Sequence, residues 1–311
     1  MVITLEEEVL NPQRKATLLG LSAVFFWSTV ATAFKMALRH VDHFQLLLLA
    51  NVFSLVSLGA VLVFRKKSHL LLCATGRQYR LSCGLGLLNP FIYYLVLFKA
   101  YDLLPAQVAQ PINFTWALTL SWLSVPLLKQ KVGWRHGLAG LICYFGVVVL
   151  ATGGDLATFR VADPLGVGLA LGSTVLWALY WIGNTKNDLD PVAGLFLGFS
   201  FSLPFVAGAT LLFSDLAIGW QGVLGGAYVG AFEMGFTFVL WLSALKLTTS
   251  TARIANLIFL APFLSLVFIH FVLGEHVVFA TVIGLVLIVG GLLLQSTGGS
   301  RTGQDPPVSK C

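Results

Sequence analysis

The sequence predicts an all-α polytopic membrane protein: ten transmembrane helices in an inverted five-plus-five repeat, with the N- and C-termini cytoplasmic. Three observations predict this. Of the 311 residues 57% are hydrophobic and 10% are charged, and the mean hydropathy is +0.88, far outside the range of a soluble domain. Apolar segments of about 20 residues, long enough to cross a bilayer, fall near 16–38, 43–64, 81–101, 105–128, 133–152, 164–185, 191–213, 221–245, 249–273 and 277–295. The two halves of the chain can also be laid on each other.

The N-terminal stretch MVITLEEEVLNPQRK is acidic and lacks the basic lead of a cleavable signal, so the first apolar run is expected to be a retained span. Orientation follows from the basic residues. With the N-terminus inside, only Lys35, Arg39, Lys99 and Arg160 of the 19 lysines and arginines fall on the outer side. The net charge of +6 is spread over short loops and forms no single basic face, which argues against a nucleic-acid partner. The longest loop, RKKSHLLLCATGRQYR at 65–80, is too short to be a soluble domain, and the tail from 298 to 311 has the composition of a disordered cytoplasmic segment. Cys73, Cys83, Cys143 and Cys311 have neither metal-ligand spacing nor the pattern of a disulfide framework. Any chemistry is therefore expected between the helices, with no metal and no cofactor.

The repeat shows where FFWSTVATAFK at 25–35 is laid on VLWALYWIGNTK at 175–186 by superposing Trp27 and Trp177. Further along, KAYDLLPAQVAQPINF at 99–114 lies on SALKLTTSTARIANLI at 243–258, and LATGG at 150–154 lies on QSTGG at 295–299. The units implied are 1–154, 155–297 and the tail 298–311. An odd number of spans per unit inverts the second copy, which is the architecture of an alternating-access carrier. The opening QRKATLLGLSAVFFWST, the stretch WLSALKLTTSTARIANLIFLAPFLSLVFIHFVLGE and the closing VIGLVLIVGGLLL resemble the EamA-type ten-helix permeases of the drug/metabolite transporter superfamily. The opening is most similar to the aromatic amino-acid exporter branch. The resemblance implies a secondary transporter that works outward and resides in a bacterial inner membrane; a monomer is expected to suffice, and the pocket residues given below suit a small amino-acid-like or amine metabolite. The first repeat departs from the pattern: where Gly274 and Glu275 would recur it reads LLKQKV.

The most informative single residue is Glu233, in the apolar, aromatic run GAFEMGFTFVLWL at 230–242. A carboxylate at mid-bilayer costs on the order of 3 kcal/mol on insertion scales, so something must offset or use it. The repeat superposes Asn89 on Glu233. Pro90 and Gly235 lie close by, and both helices are expected to bend or open there. Glu233 is a candidate for binding a substrate amine or for carrying a coupling proton, against the alternative of a hydrogen-bonded structural carboxyl. In the fourth span Gln107 and Gln110 begin a polar stripe with Asn113 on its flank, suited equally to lining a cavity or to joining helices. Trp27, Tyr93, Trp177 and Trp181 are candidates for an aromatic wall attractive to amines, and Asn256 is a further candidate one turn after Arg253.

Other polar residues are expected to have plainer roles. Lys35 is expected to snorkel to the outer surface, His270 to pack, and Glu275 to cap a helix or to gate at the outer end of its span. The pairs Gly168/Gly172 and Gly194/Gly198 and the series Gly222/Gly226/Gly230 are expected to let helices approach closely. Two other functions fit less well. A nucleotide-sugar or organophosphate exchanger would need cavity-facing cations beyond Lys35 and Arg253. An intramembrane enzyme would need an acid/base pair, and the symmetry mate of Glu233 is an asparagine. No phosphate-binding loop is present, so the chain has no motif for ATP hydrolysis.

Overall fold

The computed structural model describes residues 12–129, 133–157, 161, 163–248 and 254–297, and these are helical with no strand among them. The tail at 298–311 and Arg253 lie outside the described residues. Among the described residues nine helices are long and apolar enough to cross a membrane: α1 (Pro12–Leu38), α2 (His43–Phe64), α3 (Gly76–Leu103), α6 (Trp134–Ala151), α7 (Pro164–Asn184), α8 (Pro191–Phe213), α9 (Trp220–Leu247), α10 (Asn256–Leu273) and α11 (Phe279–Ser296). The expected span at 105–128 consists instead of two shorter helices, α4 (Ala106–Phe114) and α5 (Trp116–Leu128), which meet at Thr115. Pro111 and Pro126 each remove a backbone donor from this stretch, which loosens it.

Local sequence sets the helix starts. Asp42 opens α2 with its carboxylate on the Phe44 and Gln45 amides, and the Gln45 side chain returns to the Asp42 amide. Thr75 and Gln78 form the same reciprocal box at the start of α3. At α7 and α8 an aspartate, Asp163 or Asp190, caps a helix whose first residue is proline. Asp190 also meets Lys67 at 2.5 Å. Burial disfavours its ionised form, but the Lys67 ammonium and the Val192 and Ala193 amides outweigh this and hold the carboxyl below its ordinary value.

The extensive packing is between the two halves of the chain, and it comes in reciprocal pairs. α2 packs on α8, and α6 packs on α11. α1 packs on the C-terminal part of α9 and on α10, while α7 packs on the C-terminal part of α3 and on α5. α2 also lies against the middle of α9, as α8 lies against the start and middle of α3. The buried core, which includes Phe34, Leu58, Tyr94, Phe98 and Met234, therefore sits between the halves. Outer faces of the helices carry exposed Leu141, Leu211, Phe213, Phe271 and Phe279, the apolar surface that contacts acyl chains.

At two glycines these contacts bring backbone against backbone. A Cβ on Gly86 would lie 2.2 Å from the Gly198 carbonyl oxygen, and one on Gly230 would lie 2.4 Å from the Ala50 carbonyl oxygen. The expectation of close approach thus holds for the series ending at Gly230 and for Gly198, which meets the Gly86 backbone. It fails at Gly168 and Gly172, where an added Cβ meets nothing within 4 Å, because that face of α7 has no facing helix. Replacing Gly86 or Gly230 by alanine is expected to lower unfolding stability by about 2 kcal/mol through forced helix separation. Gly172→Ala is expected to be neutral or slightly stabilising. Melting of the detergent-purified variants measures both.

Candidate functional site

Both helices expected to open do so. In α3 the turns widen over Leu87–Ile92, and within them Asn89 takes an extended backbone conformation (φ −144°, ψ 118°) with a cis bond to Pro90. In α9 the turns widen over Val229–Phe236, which places Glu233 inside the irregular stretch. Wide turns of this kind often occur at functional sites, because they redirect side chains that a regular helix would hold in register.

Glu233 faces α3. The Tyr94 hydroxyl donates to its Oε1 at 3.0 Å, while Oε2 is buried and has no protein partner. Tyr94 and Tyr93 are themselves buried, with ring centroids 4.8 Å apart, and Tyr93 lies 4.6 Å from the Trp177 ring. From α4, the Asn113 amide donates to the Tyr93 hydroxyl at 3.4 Å and to Ser173 Oγ on α7 at 2.9 Å. A continuous set of contacts thus joins Glu233, Tyr94, Tyr93, Asn113, Ser173 and Trp177 across α9, α3, α4 and α7. Phe238, 6.3 Å from Trp177, links it to Trp27 on α1, and Trp27 packs on Trp241. Trp181 stacks with Trp116, and its indole nitrogen is buried without a partner.

The remaining candidates are placed differently. Asn89 lines a small recess with Tyr180 and Asn184, its Oδ1 unpartnered. Gln110 is buried and its Oε1 has no partner. Gln107 is engaged by the start of α11 and the segment before it: its amide nitrogen donates to the His276 carbonyl at 3.0 Å, and its Oε1 accepts from Thr281 Oγ1 at 2.9 Å. Asn256 is exposed at the start of α10. A separate cavity of about 460 Å³ lies between α1, α9 and α10, lined by Thr29, Thr32, Met36, Tyr228, Phe268 and neighbours, and by none of the sequence-predicted site residues.

The end of the bundle carrying Lys35 is strapped shut. The Lys35 ammonium donates to the Tyr101 and Leu104 carbonyls at 2.8 and 3.0 Å, neutralising the carbonyls left open where α3 ends. It is thus committed to a helix end and does not snorkel. One residue beyond Leu104 and Pro105, α4 begins, and its first amides at Ala106 and Gln107 donate to the Glu275 carboxylate at 3.0 and 3.3 Å. Glu275 is therefore a helix cap, as its position suggested. His270 is exposed and bonds the Glu275 carbonyl, so the expected packing role is corrected: its ring turns onto the loop that follows α10.

A model of the EamA-like transporter family matches residues 14–152 and again 164–297. The chain belongs to the EamA-like transporter family. It is 23% identical over 301 residues to an uncharacterized transporter of Clostridium kluyveri, covering 93% of this chain and 95% of that protein. It is 26% identical over 175 residues to an uncharacterized transporter of Archaeoglobus fulgidus, covering 54% and 60% respectively. A solved crystal structure shares the fold with a TM-score of 0.64 and 23% identity, covering 91% of this chain and 96% of that one. This EamA-like protein is an integral membrane transporter, and its setting is a lipid bilayer across which a small molecule moves.

Sequence reasoning did not single out Ser173, Trp116, Phe238 or the Thr119–Thr174 hydroxyl pair at 2.9 Å, since small hydroxyls and aromatics are common in apolar spans. The Glu275 strap offers a direct stability test. Glu275→Ala leaves two α4 amides without their acceptor and is expected to cost about 2 kcal/mol in thermal or denaturant melting. Glu275→Gln, which keeps an acceptor oxygen, is expected to lose roughly half as much.

Proposed function

We propose that this EamA-like protein is a secondary carrier that exports a small amino-acid-like or amine metabolite by alternating access, with Glu233 as the central group of its substrate site. The observation that carries this reading is the Glu233 carboxyl, which has one oxygen on Tyr94 and the other buried and open, inside a widened turn and beside an aromatic wall. Substrate sites in inverted-repeat carriers lie at broken helices near the bilayer midplane. The same carboxyl can hold the coupling proton when substrate is absent, which is how one group couples two gradients.

An inverted repeat of units 1–154 and 155–297 is supported by the two matches of the family model and by the reciprocal packing of α1–α9 with α7–α3, and of α1–α10 with α7–α5. In this reading α4 and α5 together make the tenth crossing. With the basic residues placing the N-terminus inside, the strapped Lys35 end faces outward. Substrate then enters from the cytoplasm past Trp181 and Trp241, and the outer strap releases to let it leave. A monomer is the working unit proposed, and the cytoplasmic membrane of a bacterium is the setting proposed. Among the described residues the phosphate-exchanger alternative finds no free cation, because the Lys35 ammonium is already held by two carbonyls.

The test is mass spectrometry of the medium around cells overproducing the intact protein, the Glu233→Gln variant or neither. One amine-bearing metabolite is expected to accumulate outside with the intact protein and to fall at least tenfold with the variant at equal membrane abundance. Equal export by both proteins would make Glu233 a structural carboxyl.

A further inference from the structure

Resting on the carrier reading above, we propose a narrower substrate class: the site between α3 and α9 takes organic amines that lack a carboxylate, in preference to zwitterionic amino acids. The argument is one of complementarity. The buried atom without a partner beside the aromatic rings is an acceptor, Glu233 Oε2, while the unpartnered Asn89 Oδ1 lies in its own recess. A buried, unpaired carboxyl oxygen calls for a ligand that donates, and an ammonium group supplies three donors with no acceptor of its own. The Tyr93, Tyr94 and Trp177 rings beside Glu233 present faces that attract a cation and accept a flat apolar body.

A zwitterion brings a carboxylate as well, and at this depth that group calls for a cation. Among the described residues no cation lies beside Glu233. Lys35 is committed to the Tyr101 and Leu104 carbonyls. The Asn113 amide is shared between Tyr93 and Ser173. Trp181 Nε1 is a neutral donor, suited to a hydroxyl or a carbonyl but unable to balance a charge. A bound amino acid would therefore bury an unpaired carboxylate next to the Glu233 carboxyl.

Matched pairs that differ only in the carboxylate decide the matter: tryptamine with tryptophan, tyramine with tyrosine, and putrescine with ornithine. Each radiolabelled compound is offered to liposomes containing the purified full-length protein, and rates are taken above those of protein-free liposomes. The amine is expected to move about tenfold faster or more than its amino acid in at least one pair, the discrimination typical of a site that leaves a polar group unpaired. Glu233→Gln, checked for an unchanged melting profile, is expected to abolish movement of that amine. Equal or faster movement of the amino acids overturns the inference and leaves the carrier reading standing. If Glu233→Gln, with Glu233→Asp as a second folded variant, moves amines as well as the intact protein, the inference is also overturned, together with the role given to Glu233. Movement of no member of any pair overturns both the substrate class and the amine-carrier reading on which it rests.

Discussion

One hydrogen bond, from the Tyr94 hydroxyl to the Glu233 carboxyl, joins the two halves at the point where the bundle is least regular. In hydrocarbon a polar group finds its partner within the protein or remains costly. A carboxyl at that depth costs on the order of 3 kcal/mol on insertion scales, and a hydrogen bond to such a group returns roughly 1.5 to 3 kcal/mol. Tyr94 thus offsets much of the cost and leaves one oxygen in hand. The surroundings follow from that constraint: α9 widens to turn Glu233 toward α3, α3 breaks at Asn89, and aromatic rings fill the space between the halves.

The rest of the bundle holds this irregular centre in place without immobilising it. Close backbone approach at Gly86 and Gly230 fixes where α3 meets α8 and where α9 meets α2, directly before the first widened stretch and within the second. At the Lys35 end, a cation from α1 and an anion preceding α11 neutralise the two open helix ends that flank Pro105. Among the described residues the bridging contacts at the opposite end include Lys67 with Asp190, Arg65 with Ser243, and Gln13 with Thr248, all peripheral. The difference between the ends is the asymmetry that the proposed carrier needs, with one side closed by backbone-directed charge and the other lined with half-buried tryptophans.

Much of this was legible in the sequence where one strong physical rule acted alone. Apolar run length placed nine of the spans, and the intramembrane acid beside Gly235, matched with Asn89 beside Pro90, marked both irregular turns. What escaped were choices settled by partners far away in the chain. Gln107 could line a cavity or join helices, and it joins them through residues 169 to 174 positions away. Lys35 had a path to the surface but finds two helix-end carbonyls closer at hand. Gly168 and Gly172 have the spacing of a packing motif but face no helix, because such spacing is necessary for close approach and does not cause it. Ser173 and Phe238 carry no compositional signal at all in an apolar span.

The most direct measurement of the central claim is carbodiimide modification of Glu233 in reconstituted membranes, located by peptide mass spectrometry and followed in parallel with transport. An apolar carbodiimide reacts with protonated carboxyls at membrane depth. The account predicts an adduct on Glu233, loss of transport in proportion to its formation, and protection by an amine that the protein carries. Complete modification of Glu233 with transport undiminished would contradict it.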